Sequence, residues 1–102
     1  MNEPEYRTFR DFYPFYLSEH SNRVTRRLHF LGTTLVVTLV VTAVAIQIWW
    51  LIAVAFVQVY AFAWIGHFFF EKNEPATFKH PWYSFLADWR MWFEMLTGKI
   101  SF

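Results

Sequence analysis

The chain has 102 residues, a formal net charge of +1 and no cysteine. That length gives a single domain over 1–102; the missing cysteines exclude disulfides, thiolate catalysis and Cys-ligated zinc or iron–sulfur sites; and the charge balance lacks the basic excess of a nucleic-acid binder. Aromatic residues reach 24% while charged residues are held to 17%, so the sequence carries more ring surface than a soluble core of this size needs.

The N-terminal stretch MNEPEYRTFRDFYPFY has acidic and aromatic residues where a cleavable signal peptide would carry a basic n-region and an aliphatic h-region, so no such peptide is expected. Glu5 to Leu17 is a short helix candidate, with Phe9, Phe12, Tyr13 and Tyr16 at helical spacing and Pro14 disturbing its middle. Interleaved Arg7, Arg10 and Asp11 make it a segment that lies in a membrane interface rather than crossing it. Residues 18–22 form a break, and Ser21 or Asn22 is placed to cap the next helix. That helix opens with Arg23, Arg26 and Arg27 and becomes uncharged.

Every Asp, Glu, Lys and Arg lies in 1–27 or 71–99, which leaves Leu28 to Phe70 without a charge. As one helix this run would be about 65 Å long, roughly twice the ~30 Å hydrocarbon core of a bilayer. It is therefore read as two spans, about 28–46 and 51–70, joined by a turn at Gln47-Ile-Trp-Trp50, where the paired Trp suits an interface. The second span continues through Glu71. Lys72 to Pro81 is a loop, Trp82 to Leu96 is an amphipathic helix with Trp82, Phe85, Trp89, Trp92 and Phe93 as its apolar side, and Gly98 is placed to end it. The expected fold is an all-α membrane protein: a two-span helical hairpin flanked by N- and C-terminal interfacial helices, together a small four-helix bundle. All basic residues flank the open end of the hairpin and none lies in the turn, which puts both termini in the cytoplasm. The membrane would be the inner membrane of a bacterium or the endoplasmic reticulum of a eukaryote.

All four histidines fall at that open end. His20 precedes the first span, His29 sits in its opening turns, His67 is in the last turn of the second span, and His80 is in the following loop. Asn22 and His29 share a helix face two turns apart, and His67 and Glu71 are spaced i, i+4. An ionisable group at membrane depth should face the protein interior and have a partner, and neutral imidazole is a ligand for iron, zinc or copper. Each histidine alone is ordinarily a buried ring bonded to backbone or a wet loop residue. Four of four at one end favour a shared metal site. Glu71, Glu74, Asn73 and Asp88 are candidates for fixing a ligating ring. Asp88, set among Phe85, Leu86, Trp89 and Trp92, needs Arg90 or a histidine nearby. Gly66, Ala61 and Ala63 are small residues suited to close helix packing, within the chain or in a homo-oligomer.

Two blocks carry a resemblance. YLSEHSNRVTRRLHFLGTTL (16–35) and WIGHFFFEKNEPATFKHPWYSFLADWRMW (64–92) resemble the signature blocks of the 2-hydroxy fatty acid dioxygenase family of short membrane proteins. One departure is Arg23-Val24, where many relatives have a proline-containing turn. The resemblance implies an Fe(2+)-dependent oxidoreductase of fatty acid alpha-oxidation, which uses O2 to convert a 2-hydroxy fatty acid to the acid one carbon shorter. It carries the required histidines to His20, His29, His67 and His80, as catalytic residues and metal ligands. Four imidazoles leave two positions open on an octahedral ion; with three, Glu71 or water could complete the set. Arg23, Arg26, Arg27 and Lys72 are candidates to pair the substrate carboxylate, with the acyl chain between the spans or against membrane lipid. The competing expectations are a non-catalytic membrane protein with a structural zinc and a zinc-dependent lipid hydrolase.

Overall fold

The computed structural model describes residues 6–102, and among them every regular element is helical. The first helix, α1, spans Phe9–Ser18; Thr8 caps it by accepting a 3.1 Å hydrogen bond from the Asp11 amide. Glu5, the expected start, lies outside the described residues. The helix continues through Pro14, whose ring is exposed, while Phe12, Tyr13 and Tyr16 are buried.

The hairpin consists of α2, Arg23–Ile46, and α3, Trp50–Ile65. Asn22 is the cap of α2, its side chain accepting from Val24 N at 2.8 Å. The turn falls where the sequence places it. Gln47 ends α2 at φ 59°, ψ 38°, a left-handed position held by a side chain rather than a glycine; such a position costs roughly 1–2 kcal/mol. The two helices meet through small residues. Ala43 and Ala55 are fully buried and Ala63 nearly so, and a Cβ on Gly32 would stand 3.1 Å from Val59 Cγ2. Ala61, by contrast, faces outward. Gln58 crosses the seam, donating from Nε2 to the Gly32 carbonyl at 2.9 Å.

The second span does not finish as an α-helix. Gly66–Glu71 form a π-helical turn that closes with Lys72 in the left-handed region at φ 60°. Gly66 lies so close to α2 that a Cβ there would sit 2.9 Å from Thr25 Cγ2 and 3.2 Å from Thr25 Cα, and Thr25 Oγ1 donates to the Gly66 carbonyl at 3.3 Å. Sequence periodicity does not distinguish this wider turn from a continuing α-helix, and π turns concentrate at functional sites.

A 3-10 turn at Ala76–Phe78 leads into α4, Pro81–Leu96, with Pro81 in its first turn, where its missing N–H is tolerated. Gly98, at φ 85°, follows its end as expected. The buried side of α4 differs from the one read from the aromatics. Ser84, Ala87, Met91 and Met95 face the core, whereas Trp82 is 65% and Phe93 58% exposed. Small and flexible residues let α4 approach α1 closely, where Phe12, Tyr13 and Tyr16 supply the bulk. Trp82, Phe85 and Phe93 are left on the outside, the placement that an interfacial helix favours. Trp92 Nε1 donates to Thr34 Oγ1 at 3.0 Å and ties α4 to α2. All four helices therefore converge at the open end of the hairpin.

Candidate metal centre

Three histidines meet there. His20 follows α1 directly, His29 is on the second turn of α2, and His67 is on the π turn; all three are buried. Their rings stand 4.5 Å (His20–His29), 4.5 Å (His20–His67) and 5.4 Å (His29–His67) apart, centroid to centroid. One potential ligand nitrogen from each falls within 4.8 Å of the others.

The hydrogen bonds fix which nitrogen that is. His20 Nδ1 lies 2.7 Å from the Tyr16 carbonyl, which only accepts, so Nδ1 carries the proton. His67 Nδ1 is 2.8 Å from Asn73 Oδ1. The amide nitrogen of Asn73 donates to Glu19, both to its carbonyl and to Oε2, so the amide oxygen faces His67 and accepts. His29 Nδ1 is 3.7 Å from Asp88 Oδ1. His20 and His67 thus engage an oxygen through Nδ1 and leave Nε2 with a lone pair, while His29 Nδ1 stands near Asp88 without a hydrogen bond. The Nε2 atoms of His20 and His29 are buried and have no hydrogen-bond partner, a costly arrangement for polar atoms unless something else binds them. A ring that donates outward through one nitrogen and offers the other inward is the usual state of a metal-ligating histidine.

Electrostatics favour the ligating form. Burial, reinforced by His29 and His67, holds His20 well below the ordinary imidazole range, against the opposing Tyr16 hydrogen bond. The ring is therefore neutral, as a ligand must be. Burial pushes the Asp88 carboxyl up to about 7, although a hydrogen bond from the Tyr16 hydroxyl works the other way. The Tyr16 hydroxyl is itself raised, by its burial and by Asp88. The residues present fit a divalent cation: three neutral imidazoles suit iron, zinc, copper or nickel.

Beside the histidines runs an open cleft with walls mostly of apolar side chains from α2, α3 and α4, joined by Pro75 and Ala76. His20, His29, His67, Tyr16 and Asp88 form its polar end.

A family model described as 2-hydroxy-palmitic acid dioxygenase Mpo1-like matches residues 6–100. The chain belongs to this Mpo1-like family. No curated protein and no solved structure matches it.

The Mpo1-like chain brings together three of the four histidines read from the sequence. His80 is not in the group: its ring packs against Tyr6, Phe12 and Phe15 at 5.3, 5.3 and 6.2 Å. Among the described residues the cluster of possible ligands is His20, His29 and His67. Asn73 and Asp88 lie beside these rings as expected; Asp88 accepts from the Tyr16 hydroxyl and stands 3.7 Å from His29 Nδ1, while Arg90 turns to Glu94 at 3.7 Å. Glu71 accepts instead from the Asn22 amide and, at 3.0 Å, from Ser21 Oγ, which pins the α1–α2 connection to the π turn. Arg26 Nη1 donates to the carbonyls of His20 and Ser21 at 3.2 and 2.9 Å, holding the same connection. Glu74 pairs with Lys79 at 3.6 Å, away from the rings. Among the described residues no Lys or Arg lines the cleft, so Arg23, Arg26, Arg27 and Lys72 do not face it.

Tyr16 was legible only as part of the apolar face of α1. It stacks on His20 at 4.1 Å, binds that ring through its carbonyl and binds Asp88 through its hydroxyl. The i, i+4 spacing of Tyr16 and His20 was the available signal. Glu19, which holds Asn73, had none.

Proposed function

We propose that the chain is an Fe(2+)-dependent dioxygenase that converts 2-hydroxy fatty acids to acids one carbon shorter at a membrane surface. The observation that carries this reading is the buried trio of imidazoles, His20, His29 and His67, at the polar end of an apolar cleft, in a chain whose family is described by such a dioxygenase. The net reaction balances with O2 as sole oxidant: 2-hydroxy acid and O2 give the shortened acid, carbon dioxide and water. A ferrous ion supplies the redox chemistry that dioxygen needs and that protein side chains lack.

The chain's own residues perform the rest. His20, His29 and His67 would hold the ion. The Tyr16 carbonyl and Asn73 keep the His20 and His67 rings in one tautomer and orientation, and Asp88 stands beside His29 Nδ1. The Tyr16 hydroxyl keeps its proton against Asp88 Oδ1 at the edge of the cleft, which preserves a polar surface for a hydroxy acid head in an otherwise greasy slot. With three protein ligands, open positions remain for substrate and oxygen. A structural zinc favours a closed set of four, and the described residues offer three.

Membrane insertion accords with the exposure of the two apolar helices. Arg23–Ile46 and Trp50–Glu71 are long and apolar enough to cross a bilayer, yet only 28% and 22% of their most apolar windows are buried. A soluble core helix would be covered. The basic residues at the open end support a cytoplasmic side for both termini and the metal site. The deciding assay is consumption of a long-chain 2-hydroxy acid by iron-loaded protein in detergent. Turnover in air, none under argon and a product one carbon shorter are expected; turnover without oxygen would instead indicate a hydrolase.

A further inference from the structure

We infer that the cleft is a slot for one acyl chain, open sideways to the bilayer, whose inner end at Val36 and Phe56 sets the preferred chain length. This rests on the reading of the histidine site as the seat of a 2-hydroxy acid head. One wall is a stripe on α3, Phe56, Tyr60 and Trp64, spaced i, i+4, i+8, and the floor is Thr33 and Val36 on α2. The α4 side chains Phe85 and Trp89 also line the slot.

The slot has a direction. Its imidazoles and the Asp88 carboxyl lie at one end, and Phe56 is eleven residues from His67, about 16 Å along a helix. The α3 wall is 40–44% exposed at Phe56, Tyr60 and Trp64, so a chain can slide in from lipid without crossing water. Val36, at 5% exposure, is the covered residue at the far end of the floor. A larger side chain there projects into the space that a long acyl chain must occupy and a short one does not reach.

Two variants probe this in opposite directions. Val36→Phe fills the inner end and should lower the ratio of long-chain to short-chain kcat/KM by about tenfold or more, the scale on which an apolar pocket discriminates. Phe56→Ala opens it and should raise the same ratio. An equal change at every chain length in both variants would overturn the slot. A second readout needs no turnover: a 2-hydroxy acid with a diazirine midway along its chain is irradiated with the wild-type protein in detergent, and the labelled residues are mapped by mass spectrometry. Labels at Thr33, Val36, Phe56, Val59, Tyr60 or Ala63, suppressed by excess undecorated 2-hydroxy acid, support the slot. Uncompeted labels at Val41 and Val57, on the outer faces, contradict it. Competed labelling in the slot without oxygen-dependent turnover would leave the slot standing and remove the dioxygenase reading.

Discussion

At the scale of single residues, the site is specified by which nitrogen each ring can offer. His67→Ala removes one of three inward donors and should abolish metal retention while the helices remain, as measured by metal analysis beside circular dichroism. His80→Ala provides the contrast. Its ring makes aromatic contacts, so its loss should cost about 0.5–1.5 kcal/mol of packing and leave the metal bound; a loss of metal equal to that of His67→Ala would restore the four-histidine set. Asp88→Asn should weaken metal affinity about 10–100-fold, the effect of disturbing a ligand's outer partner. The same variant has a signature in the metal-free protein. Between about pH 4 and 7, folded Asp88 holds a proton that the unfolded chain has released, because its carboxyl is raised to about 7, so it makes stability fall as pH rises. His20 acts with the opposite sign. Its depressed value means that the unfolded chain binds the proton first below about pH 6.5, so stability falls as pH falls. Removing the Asp88 titration should therefore give a stability profile that rises more steeply with pH than wild type, read from denaturant titrations in detergent at several pH values.

At the scale of elements, the histidines depend on the contact between α2 and the π turn. Gly66→Ala puts a methyl against Thr25 and should cost roughly 1–3 kcal/mol as overpacking. Thr25→Ser removes the nearest atom, Cγ2, but leaves the backbone Cα, so the double variant should recover part of that loss. Full additivity of the two changes would show that the contact is not what limits Gly66. The same elements show what the sequence could disclose. The uncharged run, the Asn22 cap, the turn at Gln47 and the end at Gly98 follow from local chemistry, and each is found where expected. The π turn rests on one close approach between segments about forty residues apart. The buried face of α4 depends on small residues that hydrophobicity underrates, which is why the ring-rich side drew the reading outward. Likewise, the convergence of His20, His29 and His67 was legible from the hairpin alone, whereas His80 depended on how a proline-punctuated loop is laid against α1.

At the scale of the whole molecule, the hairpin holds the four helix ends together, and the 49 × 26 × 26 Å shape has its polar machinery at one end. The chain contains no cysteine, which makes topology directly measurable. Single cysteines at Gln47 and Ser101 should be labelled from opposite sides of a sealed vesicle, the second from the side carrying the basic residues; labelling of both from one side would remove the two-span arrangement. The central claim, that three histidines hold a redox metal here, is tested most directly by the metal content of wild type and His67→Ala, each purified anaerobically in detergent. About one iron per wild-type chain and none in a folded variant is the predicted result. Zinc in the wild type, or iron unchanged in the variant, would contradict it.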